Sequence, residues 1–218
     1  MIILDRRDLV DAAMAWPVES STVTADGYVT SYVEEQVLTP SRQSLSRQFV
    51  RHPGAVGVIA LDDDDRVALV RQYRHPVRHR LIEPPAGLLD VEGEDYLIGA
   101  ERELAEEVGL GAGRWHVLVD LFTSPGMASE SLRVYLARDL SPADAPEGFE
   151  KHGEEAHMDI VWAGLDDLVD AVLAGDLHNP VLVSGVLAVA AARSRGGFDA
   201  LRPADAPWPA RDHLPTRR

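Results

Sequence analysis

The first 50 residues contain short stretches in which apolar and polar residues alternate. These stretches, VESSTVTADGYVTSYVEEQVL from residue 18 and SLSRQFV from residue 44, are rich in Val, Thr, Tyr and Ser, a pattern typical of strands. Asp26-Gly27 is a hairpin-turn signal within the first stretch. We therefore predict a small antiparallel β segment, which is too small to bury its own apolar face alone.

From residue 54 onward the pattern changes to longer apolar runs. GAVGVIALD (54–62) and RVALVRQY (66–73) predict two strands. The DDDD run at 62–65 between them favours a solvated hairpin turn, since it lacks the spaced ligands and terminal Glu of a calcium loop. A helix is predicted at about 95–108, ended by Gly109. Two more helices are predicted at LDDLVDAVLAG and PVLVSGVLAVAAARS, and further strands at RWHVLVDLF, ESLRVYLARDL and DIVWAGL.

Stretches rich in Pro, Gly or charge separate these elements. LIEPPAGLLDVEGED (81–95) and SPADAPEGFEKHGEEAHM (141–158) are predicted to be loops. The tail LRPADAPWPARDHLPTRR is expected to be mobile or to lie on a partner. With 218 residues, the chain fits one α/β (α+β) domain with a smaller appendage.

Composition narrows the class of partner. The formal net charge of −15 disfavours nucleic acid and membrane surfaces, because phosphate backbones and anionic lipids repel an acidic protein. The absence of cysteine excludes disulfides, thiolate zinc sites and cysteine nucleophiles. MIILDRRDLV lacks the order of a signal peptide, and no apolar run reaches membrane-spanning length, so a cytoplasmic protein is expected.

The stretch ERELAEEVGL (101–110) concentrates negative charge on one predicted helix. Glu103 lies three and four positions from Glu106 and Glu107, and like charges at these spacings destabilise a helix by about 0.2–0.5 kcal/mol per pair. Arg102 can pair with Glu106 and offset part of this cost. A solvated acidic face is one interpretation. The other is a cation site, in which Glu103 and Glu107 bind one ion and Glu106 binds a second ion or a water.

RQYRHPVRHR (71–80) is the one strongly basic stretch. It is either a solvated loop or a clamp for phosphate groups, because guanidinium groups bind phosphate oxygens bidentately. His75 and His79 have the i,i+4 spacing of a helical metal pair. Pro76 lies between them and no Glu follows His75, so a zinc-protease type of site is not expected.

GLLDVEGEDYLIGAERELAEEVGL resembles the signature of the Nudix hydrolases, G-x5-E-x7-R-E-U-x-E-E-x-G-U with U aliphatic. Every position from Glu94 to Leu110 matches. The chain departs from the pattern at Gly87, because six residues separate Gly87 from Glu94 instead of five. Either Leu88 fills the Gly position or one residue is inserted after PAG, and the insertion is the preferred interpretation.

The resemblance implies a Nudix α/β/α sandwich with a mixed sheet. It also implies hydrolysis of a nucleoside diphosphate linked to another group, with Mg²⁺, or Mn²⁺ in its place, as the cofactor. Hard cations prefer oxygen ligands and neutralise the charge of a pyrophosphate, which fits Glu103 and Glu107. The resemblance adds the backbone carbonyl of Ala86 as a metal ligand and Glu106 as a catalytic residue.

Three further features resemble the ADP-ribose pyrophosphatase branch of the family: the EPPAG lead-in, Pro125 about fifteen residues beyond Leu110, and the N-terminal β segment. Actinobacterial members share the GLLDV-x-GE form. This resemblance implies hydrolysis of ADP-ribose to AMP and ribose 5-phosphate by a homodimer. It divides the chain into a dimerisation segment (1–50), a Nudix domain (51–197) and a tail (198–218).

The same resemblance assigns roles in substrate binding and catalysis. Substrate contacts are implied for Arg74, for the Leu88 backbone and for Glu83. Glu155 is implied as the general base or an extra metal contact, with Glu154 and Glu106 as rivals. The adenine would lie between aromatic side chains, for which the chain offers Tyr28, Tyr32 and Phe49. Some relatives read the base with an acidic residue where this chain has Gln48.

Two other functions stay open at this stage. One is hydrolysis of another nucleoside diphosphate derivative, such as a nucleotide sugar, NADH, a dinucleoside polyphosphate or an oxidised nucleotide. The other is binding of ADP-ribose without cleavage, as a sensor.

Overall fold

The N-terminal region forms a separate antiparallel sheet of three strands. The structure is a computed structural model that describes residues 3–146, 148–149 and 157–215. Its first sheet has the order β1-β2-β3, with β1 at Val18–Asp26, β2 at Ser31–Leu38 and β3 at Ser44–Arg51. The turn after Asp26 is closed by the Gly27 amide, which donates to the Thr30 carbonyl at 2.8 Å. Strand β1 is exposed along its whole length, so none of the described residues covers this edge of the sheet.

The main sheet is mixed and has the strand order β10-β5-β4-β9-β8-β11. Strands β4 and β9 are parallel, whereas the other pairs are antiparallel; β6 also pairs with β5, and β7 with β4. The strands are β4 (Ala55–Leu61), β5 (Arg66–Arg74), β6 (His79–Glu83), β7 (Ala86–Leu88), β8 (Leu110–Phe122), β9 (Ser131–Pro142), β10 (Asp159–Gly164) and β11 (Arg202–Pro203).

The helices are α1 (Tyr96–Val108), α2 (Leu165–Ala174), α3 (Pro180–Ser194) and α4 (Pro209–Asp212), with a short 3₁₀ helix at Arg6–Asp8. Local signals explain their ends. Asp95 caps α1 by accepting the Leu97 amide at 2.8 Å, and Gly109 ends it at a φ of 69°. Asn179 caps α3 in the same way at the Leu182 amide. Among the described parts of the chain, every helix is too short or too polar to traverse a bilayer.

The predicted sandwich is confirmed by the two faces of the main sheet. Alternate residues of β4 point to opposite sides, as strand geometry requires. Val56, Val58 and Ala60 pack with α1, whereas Ile59 and Leu61 pack with α2 and α3. This division explains why β4 appears in the sequence as a continuous apolar run, and it places the acidic helix α1 on the face opposite α2 and α3.

The basic stretch at 71–80 is not a loop. It forms the end of β5, a turn at 75–78 and the start of β6, with Arg74 opposite His79. Pro76 lies in the turn, where its missing amide donor costs nothing, and the Arg78 amide closes the turn on the His75 carbonyl at 3.2 Å. Likewise β6 and β7 occupy part of the predicted loop at 81–95.

The C-terminal tail was expected to be mobile or to lie on a partner, and its described part instead packs on its own chain. Strand β11 pairs with β8, and Trp208 is buried. Arg133, only 1% exposed, donates to the carbonyls of Ala206 and Pro207 at 2.7 and 3.1 Å. A buried guanidinium needs acceptors, and the backbone of the tail supplies two of them.

Candidate active site

Helix α1 presents its carboxylates at one end of the main sheet. Leu104 and Val108 anchor the helix in the core, which directs the turn from Glu103 to Glu107 towards a cleft. Glu107 is itself only 7% exposed. The acidic helix face is therefore partly buried, and a freely solvated face does not account for it.

Arg102 is the centre of the charge arrangement. Its Nη1 donates to Glu103 Oε1 at 2.6 Å and to Glu106 Oε2 at 3.1 Å, while Nε and Nη2 donate to the two oxygens of Glu94 at 3.1 and 3.2 Å. The expected pair with Glu106 is confirmed, and two further carboxylates join it. Hydrogen bonding to Glu94 raises the pKa of Arg102 although burial opposes the shift, so the guanidinium stays charged.

The backbone of β7 lies directly against the helix carboxylates. The Ala86 amide donates to Glu107 Oε2 at 3.1 Å. At Gly87 an added Cβ would lie 1.9 Å from Glu103 Oε1, so only glycine permits this approach. In the loop that follows β7, Gly93 has a φ of 78°, and Glu94 directly after it reaches Arg102.

These groups fit a divalent cation by the chemistry of their donors. Glu103 and Glu107 bring carboxylate oxygens to the backbone at Ala86 and Gly87, and hard cations favour such all-oxygen surroundings. Within the ranges that the structure describes, no group of three acidic or histidine side chains has its ligand atoms arranged to hold a metal ion. Glu103 and Glu106 are turned towards Arg102 instead.

A cleft of about 860 Å³ opens beside the carboxylates and is also lined by Arg74, Glu83 and Leu88. Arg74 forms a bidentate ion pair with Glu83, whose Oε2 also accepts a hydrogen bond from Gln72 Nε2 at 3.2 Å. Glu83 is 2% exposed, and Arg74 is partly exposed to the cleft. Glu83 thus fixes Arg74 in place, and both side chains line the cleft.

Sequence reasoning missed a second wall of the cleft, which is formed by His52, Thr123 and Glu130. His52 Nδ1 accepts the Gly54 amide at 2.9 Å, and its Nε2 lies 3.5 Å from Glu130 Oε1. Burial lowers the pKa of His52, Glu130 opposes the shift and Arg211 adds to it. Thr123 Oγ1 donates to the other oxygen of Glu130. The SPG turn near Pro125 was the only sequence signal for this wall.

The predicted adenine-binding residues lie outside this cleft. Tyr28 lines a neighbouring cavity of about 930 Å³ together with residues 89–96 and Arg211. Tyr32 donates to Gln48 Oε1 at 3.4 Å on the N-terminal sheet, and Phe49 lies opposite Val33 in the β2–β3 pair. Glu154 and Glu155 fall outside the described residues.

Comparison with known proteins identifies the family. A family model described as NUDIX domain matches residues 51–182, which is more than half of the chain. The chain belongs to the NUDIX domain family. This Nudix protein is 44% identical over 189 residues to ADP-ribose pyrophosphatase of Mycobacterium tuberculosis, an alignment that covers 87% of this chain and 89% of that one. The helix carboxylates and Arg102 are therefore the signature of a Nudix hydrolase.

Two further likenesses are less specific. The Nudix protein is 36% identical to a methanol dehydrogenase activator of Bacillus methanolicus, over 73% of this chain and 84% of that one. It also resembles the crystal structure of an ADP compounds hydrolase, with a TM-score of 0.69 at 22% identity, covering 87% of this chain and 100% of the other. The latter likeness supports the fold alone.

Substitution of Gly87 by Ala tests the close approach of β7 to Glu103. The new Cβ displaces the Glu103 carboxylate, so affinity for Mn²⁺ and turnover should each fall roughly 10- to 100-fold while the circular dichroism spectrum stays unchanged. Gly111→Ala is the matched control, because a Cβ there makes only an ordinary contact of 3.4 Å with Ala143 Cβ. Unchanged Mn²⁺ affinity in Gly87→Ala would contradict a role of Glu103 in binding the metal.

Proposed function

We propose that this Nudix protein hydrolyses the pyrophosphate of ADP-ribose to AMP and ribose 5-phosphate. The observation that carries the proposal is the 44% identity to an ADP-ribose pyrophosphatase over 89% of that enzyme's length. The complete signature from Glu94 to Leu110 supports it, because every glutamate of the Nudix signature is present in this chain. The cleft of about 860 Å³ is large enough for a nucleotide derivative.

In this proposal the metal is Mg²⁺, with Mn²⁺ able to replace it. Glu103, Glu107 and the carbonyl of Ala86 are the residues that would hold it, and the ion would supply positive charge to neutralise the pyrophosphate. Glu106 is a further catalytic carboxylate beside them. Arg102 keeps Glu103 and Glu106 close together despite their like charge.

Substrate contacts in the proposal come from the other side of the cleft. Arg74, oriented by the buried carboxylate of Glu83, presents its guanidinium to phosphate oxygens. The backbone at Leu88 lies beside the same cleft, adjacent to Gly87. Glu155 supplies the base that removes a proton from the attacking water, and it belongs to the polar segment that precedes β10.

The location of the protein in the cytoplasm remains a prediction.

Glu107→Gln tests the metal assignment together with the substrate. The variant should fold normally and lose turnover by orders of magnitude, because the amide removes a charged ligand. Glu101→Gln, an exposed position on the same helix, is the matched control and should keep wild-type turnover. Purified protein with Mg²⁺ is given ADP-ribose, a nucleotide sugar, NADH and an oxidised nucleotide, and products are separated by chromatography.

The outcomes of that panel separate the alternatives. Release of AMP from ADP-ribose at the highest kcat/KM supports the proposal. A higher value for another compound assigns that substrate instead, and tight ADP-ribose binding without AMP release indicates a sensor. Near wild-type turnover of Glu107→Gln would refute the metal assignment.

The choice of general base is tested by exchanging neighbouring carboxylates for amides. Glu155→Gln should lower kcat roughly 10²- to 10⁴-fold, as is typical for the loss of a general base. Glu154→Gln is the matched control and should retain most of the activity. A smaller loss in Glu155→Gln than in Glu154→Gln, or than in Glu106→Gln, moves the role to that residue.

We also propose that residues 1–50 form a dimerisation segment. The sheet of β1–β3 exposes Val18 and Val23, and among the described residues β1 lies at the edge of this sheet. A second copy of the chain related by a two-fold axis would cover this apolar surface. The remaining boundaries of the proposal are 51–197 for the Nudix domain and 198–218 for the tail.

Val23→Lys should convert the dimer to a monomer, because it places a charge on the exposed apolar side of β1. Thr22→Lys is the matched control, since its side chain points to the other face and lies opposite Glu34 in the strand pair. Light scattering coupled to size-exclusion chromatography measures the mass of each variant. A monomeric wild-type protein would rule out the dimer.

A further inference from the structure

The C-terminal segment 198–215 lies outside the matched family region, and its Arg211 binds residues next to two that line the substrate cleft. Arg211 Nη1 donates to Ser131 Oγ at 2.8 Å, and Nη2 donates to the Pro53 carbonyl. Pro53 directly follows His52, and Ser131 directly follows Glu130. One guanidinium therefore joins the two chain segments that carry the missed wall of the cleft.

Gly54 makes room for this guanidinium. Its φ is 92°, and an added Cβ would lie 2.0 Å from Arg211 Nη1. The Gly54 amide donates to His52 Nδ1 at 2.9 Å, and its carbonyl accepts the Leu89 amide at 3.0 Å. The backbone at Gly54 thus connects Arg211 both to His52 and to the loop that begins at Leu89.

The tail is held firmly enough to keep Arg211 in place. Buried Arg133 binds Asp120 and the two tail carbonyls, and its guanidinium lies 4.7 Å from the ring centre of Trp208. Trp208 packs edge-on against Tyr96, the first residue of α1, with ring centres 5.3 Å apart. The Arg211 guanidinium lies 5.5 Å from both rings. Desolvation by these rings strengthens its hydrogen bonds.

We infer that Arg211 is a positioning residue of the substrate cleft, holding the starts of β4 and β9 so that His52 and Glu130 face each other. Its two acceptors, Ser131 Oγ and the Pro53 carbonyl, adjoin Glu130 and His52 and do not belong to α1. It therefore acts on the shape of the substrate wall, whereas α1 carries the groups assigned to the chemistry. The kinetic part of this inference rests on the proposed function.

Arg211→Ala is compared with Arg202→Ala, which removes another arginine of the tail that binds Asp120 and lies away from the cleft. For ADP-ribose with Mg²⁺, we expect KM to rise roughly tenfold in Arg211→Ala, with kcat within about threefold of wild type. Arg202→Ala should leave both unchanged. Guanidinium chloride at low, non-denaturing concentration should lower the raised KM of Arg211→Ala and leave the KM of the wild type unchanged.

A second readout needs no substrate. The charged groups that face His52 are Glu130 and Arg211, and the charge of Arg211 contributes to the lowered pKa. The pKa of His52, followed by NMR and assigned with His52→Gln, should rise in Arg211→Ala and stay unchanged in Arg202→Ala. A wild type that leaves ADP-ribose intact refutes the proposed function, while the His52 titration still tests the position of Arg211.

Several results would overturn the inference. They are an unchanged KM or an unchanged His52 pKa in Arg211→Ala, an equal KM increase in Arg202→Ala, and failure of guanidinium to restore KM. Where Arg211→Ala does not fold, Ser131→Ala removes a single acceptor and should raise KM by a smaller factor. An unchanged KM in Ser131→Ala would then overturn it.

Discussion

The candidate active site depends on a single guanidinium surrounded by carboxylates. Arg102 binds Glu94, Glu103 and Glu106 at once, and all four side chains are at least three-quarters buried. Without this cation, the acidic turn of α1 would combine mutual repulsion with the cost of removing charges from water. Arg102 thereby makes a concentrated acidic surface compatible with a packed helix, and it leaves Glu107 to contact the backbone of β7.

Two glycines set how closely the backbone approaches charged side chains. Gly87 allows Glu103 to lie against β7, and Gly54 allows Arg211 to lie against the start of β4. In both cases a methyl group would occupy the position of a charged atom. The absence of a Cβ therefore has the same effect at both positions. It leaves room for a carboxylate at Gly87 and for a guanidinium at Gly54.

The sequence predicted what is encoded locally. The limits of α1 follow from Asp95 and Gly109, and the pair between Arg102 and Glu106 follows from i,i+4 spacing. The residues of the other wall are distant in sequence and meet only because β4 pairs in parallel with β9. His52 and Glu130 lie 78 positions apart, and no periodic pattern connects them.

The tail shows why composition alone misjudged part of the fold. Its Pro and charged residues resemble a disordered segment, yet two of its backbone carbonyls satisfy Arg133, a buried cation on β9. Arg133 lies in the core and needs hydrogen-bond acceptors there, and the composition of the tail does not reveal this need. With a net charge of −15, the protein depends on such placed arginines to supply positive charge locally. Arg102 binds the carboxylates of helix α1, Arg74 lines the cleft and Arg133 fixes the tail, so each of these three regions is organised around one buried or half-buried guanidinium.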